Sequence, residues 1–212
     1  MKKALHYIAI GDSLTVGYGA SAGQGFIPRF AAMAEERLGR RVAVVNVGVV
    51  GAKSDEIIQL IETDRSVREQ IVKSQLITVT AGGNDLLAAA KSFLYDGRSD
   101  ELKSALRQYN SVYKRLIAEL KLLKRHARSP YMIRLVNLYN PIPMVPVAAF
   151  WIQQFNRQLM KFEDRNIRVA NVFEAFEGRE EELLYIDHIH PNGNGYAVIA
   201  EQVRQTGFFP LE

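Results

Sequence analysis

Cysteine is absent from all 212 residues, which excludes disulfides, zinc–thiolate centres and a cysteine nucleophile. An excess of one charge is also missing: 27 Lys and Arg stand against 23 Asp and Glu, scattered rather than run together. Such a balance lacks the basic footprint of a nucleic-acid binder, so no nucleic-acid partner is expected. The densest basic patch, "KLLKRHAR" (121–128), reads as the solvated end of a helix. No long apolar run is present either. The longest uncharged stretch lies between Arg134 and Arg157 and is broken by Pro141, Pro143 and Pro146, so stable membrane insertion is not expected. The opening "MKKALHYIAI" has a basic start, but its apolar part is short and runs into Gly-Asp-Ser without a cleavage pattern. It reads as a strand, and a cytoplasmic location is expected, with a spore or exported form left open.

What is present is an ordinary globular composition. Apolar residues make up 48% and charged residues 24%, enough to bury a substantial core in one domain spanning 1–212. Short β-branched runs alternate with longer helical patterns. Strands are expected at "LHYIAI" (5–10), 42–47, 75–80, 132–138 and 167–172. Their near-continuous apolar character suits strands covered on both faces. Helices are expected over 26–38, 55–62 (with Ser54 as N-cap), 100–126, 147–163 and 195–205, with a shorter one from "DLLAAA" after Asn84. Strand–helix alternation of this kind implies an α/β fold, a parallel sheet with helices on both sides.

In such a sheet, sites gather at the carboxyl ends of the strands. Unusual chemistry stands at four of these ends: Gly11-Asp12-Ser13, the Gly48–Gly51 segment, Gly82-Gly83-Asn84-Asp85, and Asp187-His188-Ile189-His190. Acyl transfer through serine needs a hydroxyl, a base, a group to orient the base, and donors for the oxyanion. Ser13 supplies the hydroxyl and His190 the base. Asp187, three residues earlier, can take the Nδ1–H and leave Nε2 facing the serine. Oxyanion donors are available from the Ser13 N–H, the Gly51 N–H and the Asn84 amide. His188 competes with His190 but is expected to pack or hydrogen-bond nearby. Asp12 is expected to bond loop N–H groups, and Asp85 is ambiguous. The G-x-S-x-G elbow of α/β-hydrolases is absent, because Thr15 occupies its second glycine position.

These four blocks, "GDSL", the glycine after the second strand, "GGND" and "DHIH", resemble those of the GDSL or SGNH hydrolases in order and spacing along the whole chain. The resemblance implies a flavodoxin-like three-layer α/β/α sandwich with a five-stranded parallel sheet. It also implies Ser13 as nucleophile, His190 as base, Asp187 as its orienting acid, and Gly51 and Asn84 as oxyanion donors. The length and the pattern through "YNP" (139–141) are similar to Bacillus-type lipases and esterases, spore-germination lipases among them. The implied activity is that of a serine esterase or lipase acting on a small-molecule or lipid ester, with no metal and no organic cofactor. Two other readings stand beside it: a metal-dependent phosphoesterase using the Asp, Asn and His residues, and a carbohydrate- or lipid-binding domain on the same fold. Oligomeric state is left open. Pro143 to Trp151 are expected to form an apolar wall or flap for the acyl chain, with Met144 and Phe150 as contact residues.

Overall fold

Along β1 (Leu5–Gly11), neighbouring side chains enter different cores. Ile8 and Ile10 join one cluster of buried residues, and Leu5, Tyr7 and Ala9 join another. The computed structural model describes residues 3–96 and 99–212, and this division at β1 organises it. A strand whose side chains alternate between two dry faces must be apolar throughout.

The chain continues through α1 (Ser13–Val16), α2 (Phe26–Leu38), β2 (Val42–Gly48), α3 (Ser54–Thr63), α4 (Arg65–Lys73) and β3 (Leu76–Thr80). Next come α5 (Gly83–Asp96), α6 (Ser99–Lys124), β4 (Met132–Val136), α7 (Ala148–Met160) and β5 (Ile167–Ala170). The short α8 (Val172–Phe176) and α9 (Glu180–Leu183) lead to α10 (Gly193–Gln205). All strands are parallel, in the order β2-β1-β3-β4-β5. This is the flavodoxin-like order, with α3, α4, α6 and α7 on one face and α2, α8, α9 and α10 on the other.

Helix α6 owes its place to a stripe at helical spacing, Tyr109, Tyr113, Leu116 and Leu120, all fully buried. Helix α2 turns Phe26, Phe30 and Ala34 inward and stops where Gly39 adopts φ 59°. Two local expectations are corrected. Strand β2 is not covered on both faces: it lies at the sheet edge, and Ala43, Val44 and Asn46 are exposed. Ser54 does not cap α3. Lys53 holds the cap position, and the Ser54 hydroxyl donates instead to Asp85 Oδ1 at 2.9 Å. Helix α4, separated from α3 only by Asp64, was not distinguished in the sequence pattern. Asp64 caps it by accepting from the Val67 N–H at 2.9 Å.

Arg134 points from β4 into the second core and is 1% exposed. Its guanidinium donates to Thr206 Oγ1 and to the carbonyls of Gly207, Phe209 and Asn166. Burial, and then the nearby Arg168, push its pKa down to about 10, still charged at neutral pH. Arg134→Met leaves those carbonyls without their donor, so it should cost about 2–4 kcal/mol of stability, seen as a lower urea midpoint with an unchanged slope. An unchanged midpoint would show that water replaces the guanidinium freely.

Candidate active site

The first functional segment is shaped by Gly11, where β1 ends. Its φ of +152° and the atoms around it leave no room for a side chain: a Cβ there would run into Thr80 and the Thr15 hydroxyl. The chain then turns at Asp12, whose Oδ1 accepts from the Leu14 N–H at 3.0 Å and the Thr80 hydroxyl at 2.8 Å. Thr15 closes the frame by bonding Thr80 at 2.9 Å and the Ile10 carbonyl at 3.2 Å. Asp12 is thus the local scaffold that the sequence suggested. Burial pushes its pKa up, against the opposing hydrogen bonds of Thr80 and Leu14. Ser13 follows as the first residue of α1, with its N–H in the helix's unpaired first turn.

The second segment is the turn between α9 and α10. A lone bridge between Leu184 and Pro191 and a bond from Tyr185 N–H to the His190 carbonyl at 2.7 Å close it. Asp187 Oδ1 accepts from the Ile189 and His190 N–H groups at 3.0 and 2.9 Å, which fixes the carboxylate within the turn. Its Oδ2 meets His190 Nδ1 at 2.7 Å. Partial burial raises the Asp187 pKa, but the hydrogen bonds from Ile189 and His190 outweigh it and hold the carboxyl below its ordinary value. On the far side of the ring, Nε2 lies 2.9 Å from Ser13 Oγ. Residues 177 positions apart therefore form one hydroxyl–imidazole–carboxylate line.

Asn84 sits in the first turn of α5, with the cap position outside it. Its amide gives one N–H to the Ala52 carbonyl at 2.8 Å, which leaves the other for a ligand. Asp85 accepts from both the Ser54 N–H and hydroxyl at 2.9 Å, so the first turn of α3, after β2, is tied twice to the first turn of α5, after β3. Asp85 is therefore a brace between the amino ends of α3 and α5. Gly51 stands next to Ala52 in that loop at φ +81°, exposed and outside the lining of the pocket at Ser13. His188 is exposed at φ 56°, and its side chain makes no hydrogen bond among the described residues. That corrects the expectation that it packs or hydrogen-bonds nearby.

Two partners were not anticipated from the sequence. The Tyr18 ring lies against His190, centroids 4.6 Å apart, and Tyr139 donates to the Ile189 carbonyl at 2.6 Å. Tyr18 lies only five residues after Ser13, but its facing residue lies more than 170 positions away.

The Ser13–His190 pair opens on a pocket of about 70 Å³ that includes Asn84, Leu87 and Ile152. Leu86, Leu87, Pro141 and Ile152 also line an adjoining apolar cavity of about 50 Å³. Its far walls come from Ala90 and Phe93 of α5 and from Val145, Ala148 and Trp151. The expected wall over 143–151 therefore exists in part. Met144 and Phe150 belong to neither cavity and are 76% and 53% exposed, which corrects the choice of contact residues. Among the described residues, no group of three or more Asp, Glu or His side chains has a metal-binding arrangement.

A serine, histidine and aspartate in line, at the carboxyl edge of a parallel sheet and beside an apolar slot, have the layout of an acyl hydrolase. The chain belongs to the GDSL-like lipase/acylhydrolase family, whose model matches residues 9–198, and it is a carboxylic ester hydrolase of the SGNH type. It is 35% identical to the spore germination lipase LipC of Bacillus licheniformis, over 98% of this chain and 99% of that protein. The crystal structure of the lipase Lip_vut3 from a goat rumen metagenome superposes with a TM-score of 0.94 at 34% identity, covering 99% of this chain and all of that one. AlinE4, an SGNH-hydrolase family esterase, shares the fold at 22% identity with a TM-score of 0.61, covering 97% and 96% of the two chains.

Proposed function

We propose that residues 1–212 form one hydrolase domain that cleaves acyl esters of medium chain length through an acyl-Ser13 intermediate. The observation that carries this reading is the 2.9 Å approach of His190 Nε2 to Ser13 Oγ beside a slot lined by apolar side chains. His190 takes the Ser13 proton as Oγ attacks the ester carbonyl. The Ser13 N–H and the remaining Asn84 N–H receive the negative oxygen, and the third donor of this reading is Gly51, outside the pocket lining but adjacent to the Ala52 carbonyl that Asn84 holds. His190 then gives its proton to the leaving alcohol, accepts one from the water that attacks the acyl carbon, and returns it to Ser13 Oγ as the Oγ–acyl bond breaks and the acid departs. Asp187 keeps the imidazole in the tautomer that presents Nε2 as acceptor. The adjoining cavity of about 50 Å³ is apolar throughout and extends the space beside Ser13, which suits an acyl chain longer than acetyl. The similarity to a spore germination lipase supports a lipid ester within this class.

A fluorophosphonate ester, which phosphonylates an activated serine, tests the chemistry directly. Mass spectrometry should find one adduct, on Ser13, with hydrolysis lost in proportion. An unlabelled Ser13 in an active enzyme would overturn the assignment.

The imidazole must be neutral to act, and the depressed Asp187 carboxyl stays ionised as pH falls. The acid limb of kcat/KM should therefore rise toward neutral pH with the slope of a single proton. A rate that fell steadily between about pH 5 and 8 would contradict His190 as base.

A further inference from the structure

The basic segment 121–128, read from sequence as a solvated helix end, does not stand alone in three dimensions. At the amino ends of β1, β3 and β4, on the edge of the sheet opposite Ser13, lies a cleft of about 480 Å³. Lys3, Arg40, Lys73, Lys124 and Arg128 line it, joined by His6 and His126, and no acidic side chain does. These cations come from four separate segments of the chain, so the sequence shows only the part contributed by 121–128.

Acidic residues are not scarce elsewhere. Arg115 pairs with Glu62, Lys121 with Asp164 and Arg204 with Glu201. None of the five cleft cations forms an ion pair among the described residues. Complementing helix C-termini explains only some of them. Lys124 is spent in that way: its ammonium donates to the carbonyls of Ile71, Val72 and Ser74 at 3.2, 2.9 and 2.6 Å. Lys73 ends α4 and fits the same account. Lys3 and Arg128 lie outside helices, and Arg40, just past the end of α2, turns its guanidinium to the Lys3 carbonyl and not to the helix. Arg40 is held in place, with Nε and Nη2 donating to the Lys3 carbonyl at 2.9 and 2.7 Å, and Nη1 makes no hydrogen bond among the described residues. Gathering like charges in one concavity costs free energy unless a counter-charge enters it.

We propose that this cleft is a binding site for a phosphate-bearing small molecule, separate from the ester site. Its volume falls in the range of small-ligand pockets. The guanidinium of Arg40 supplies a fixed donor for a phosphate oxygen, and Lys3, Lys73 and Arg128 supply mobile charge. Val72, Pro130 and Leu211 give the wall an apolar part for the organic body of the ligand. A bilayer headgroup offers the same phosphate chemistry. Docking there would point the Ser13 pocket away from the membrane, however, because the two sites occupy opposite sheet edges.

The test uses the whole enzyme in about 150 mM salt, where loose surface attraction is screened. Inorganic pyrophosphate and ATP serve as probes in calorimetry and thermal denaturation, with phosphatidylglycerol and phosphatidylcholine vesicles in a sedimentation arm. Saturable binding of a phosphate probe is expected, with a raised Tm. The double variant Lys73→Glu/Arg128→Glu should weaken it at least tenfold while ester turnover is unchanged. A control of equal charge change far from the cleft, Lys103→Glu/Arg107→Glu, should leave binding intact. Sedimentation with phosphatidylglycerol alone, abolished by the cleft variant, would keep the phosphate site and assign it to a headgroup. No binding of any probe, or equal weakening in both double variants, overturns the proposal.

Discussion

Ser13→Ala should lower kcat by about 10⁴–10⁶-fold toward any ester substrate while leaving the fold intact. The size follows from the absence of a substitute: no other hydroxyl is described within hydrogen-bond reach of His190 Nε2. The fold should tolerate the change because Ser13 Oγ braces no other element. The bonds that shape this loop belong to Asp12, Thr15 and Thr80. Tm should therefore shift little, which separates loss of chemistry from loss of structure. His190→Ala should fall to a similar rate, and the double variant no further, since the two groups act on one proton. Residual turnover would then come from the oxyanion donors and substrate binding alone. Activity of Ser13→Ala within tenfold of the parent, or an additive collapse in the double variant, would remove both residues from the mechanism.

The same loop shows what the sequence could and could not reveal. Gly11, Asp12 and Ser13 were legible because a strand that ends in Gly-Asp-Ser is locally odd, and because Asp187 and His190 are near enough in sequence to imply a turn. The parallel sheet was legible from apolar runs too short for helices. What escaped depends on partners distant in the chain. Ser54 looks like a cap until Asp85, 31 residues on, takes its hydroxyl. Strand β2 reads as apolar as its neighbours, but its edge position leaves Val44 at 40% exposure. In the stretch 143–151, composition marks an apolar wall, but only helix phase and loop path decide which residues face inward. Val145 and Trp151 do so, and Met144 and Phe150 face out.

That phase sets the second large effect. Ala90 lies on α5 one turn beyond Leu86 and faces the slot that also touches Ala148. A tryptophan at 90 fills the inner cavity, so an acyl chain loses contact with it beyond the first few carbons. Burying one methylene contributes about 0.8 kcal/mol, so excluding four of them removes about 3 kcal/mol, or roughly 10²-fold in kcat/KM. Ala90→Trp should impose that loss on p-nitrophenyl octanoate and leave the acetate ester within about twofold, because the acetyl group stays beside Ser13. Ala148→Trp, which blocks the same space from α7, should reproduce the pattern and guards against a distortion peculiar to α5. Met144→Ala and Phe150→Ala, outside both cavities, should change neither ester. The contrast between chain lengths carries the inference, since general damage to the enzyme slows both alike. Equal losses for acetate and octanoate in both tryptophan variants would place the acyl chain elsewhere.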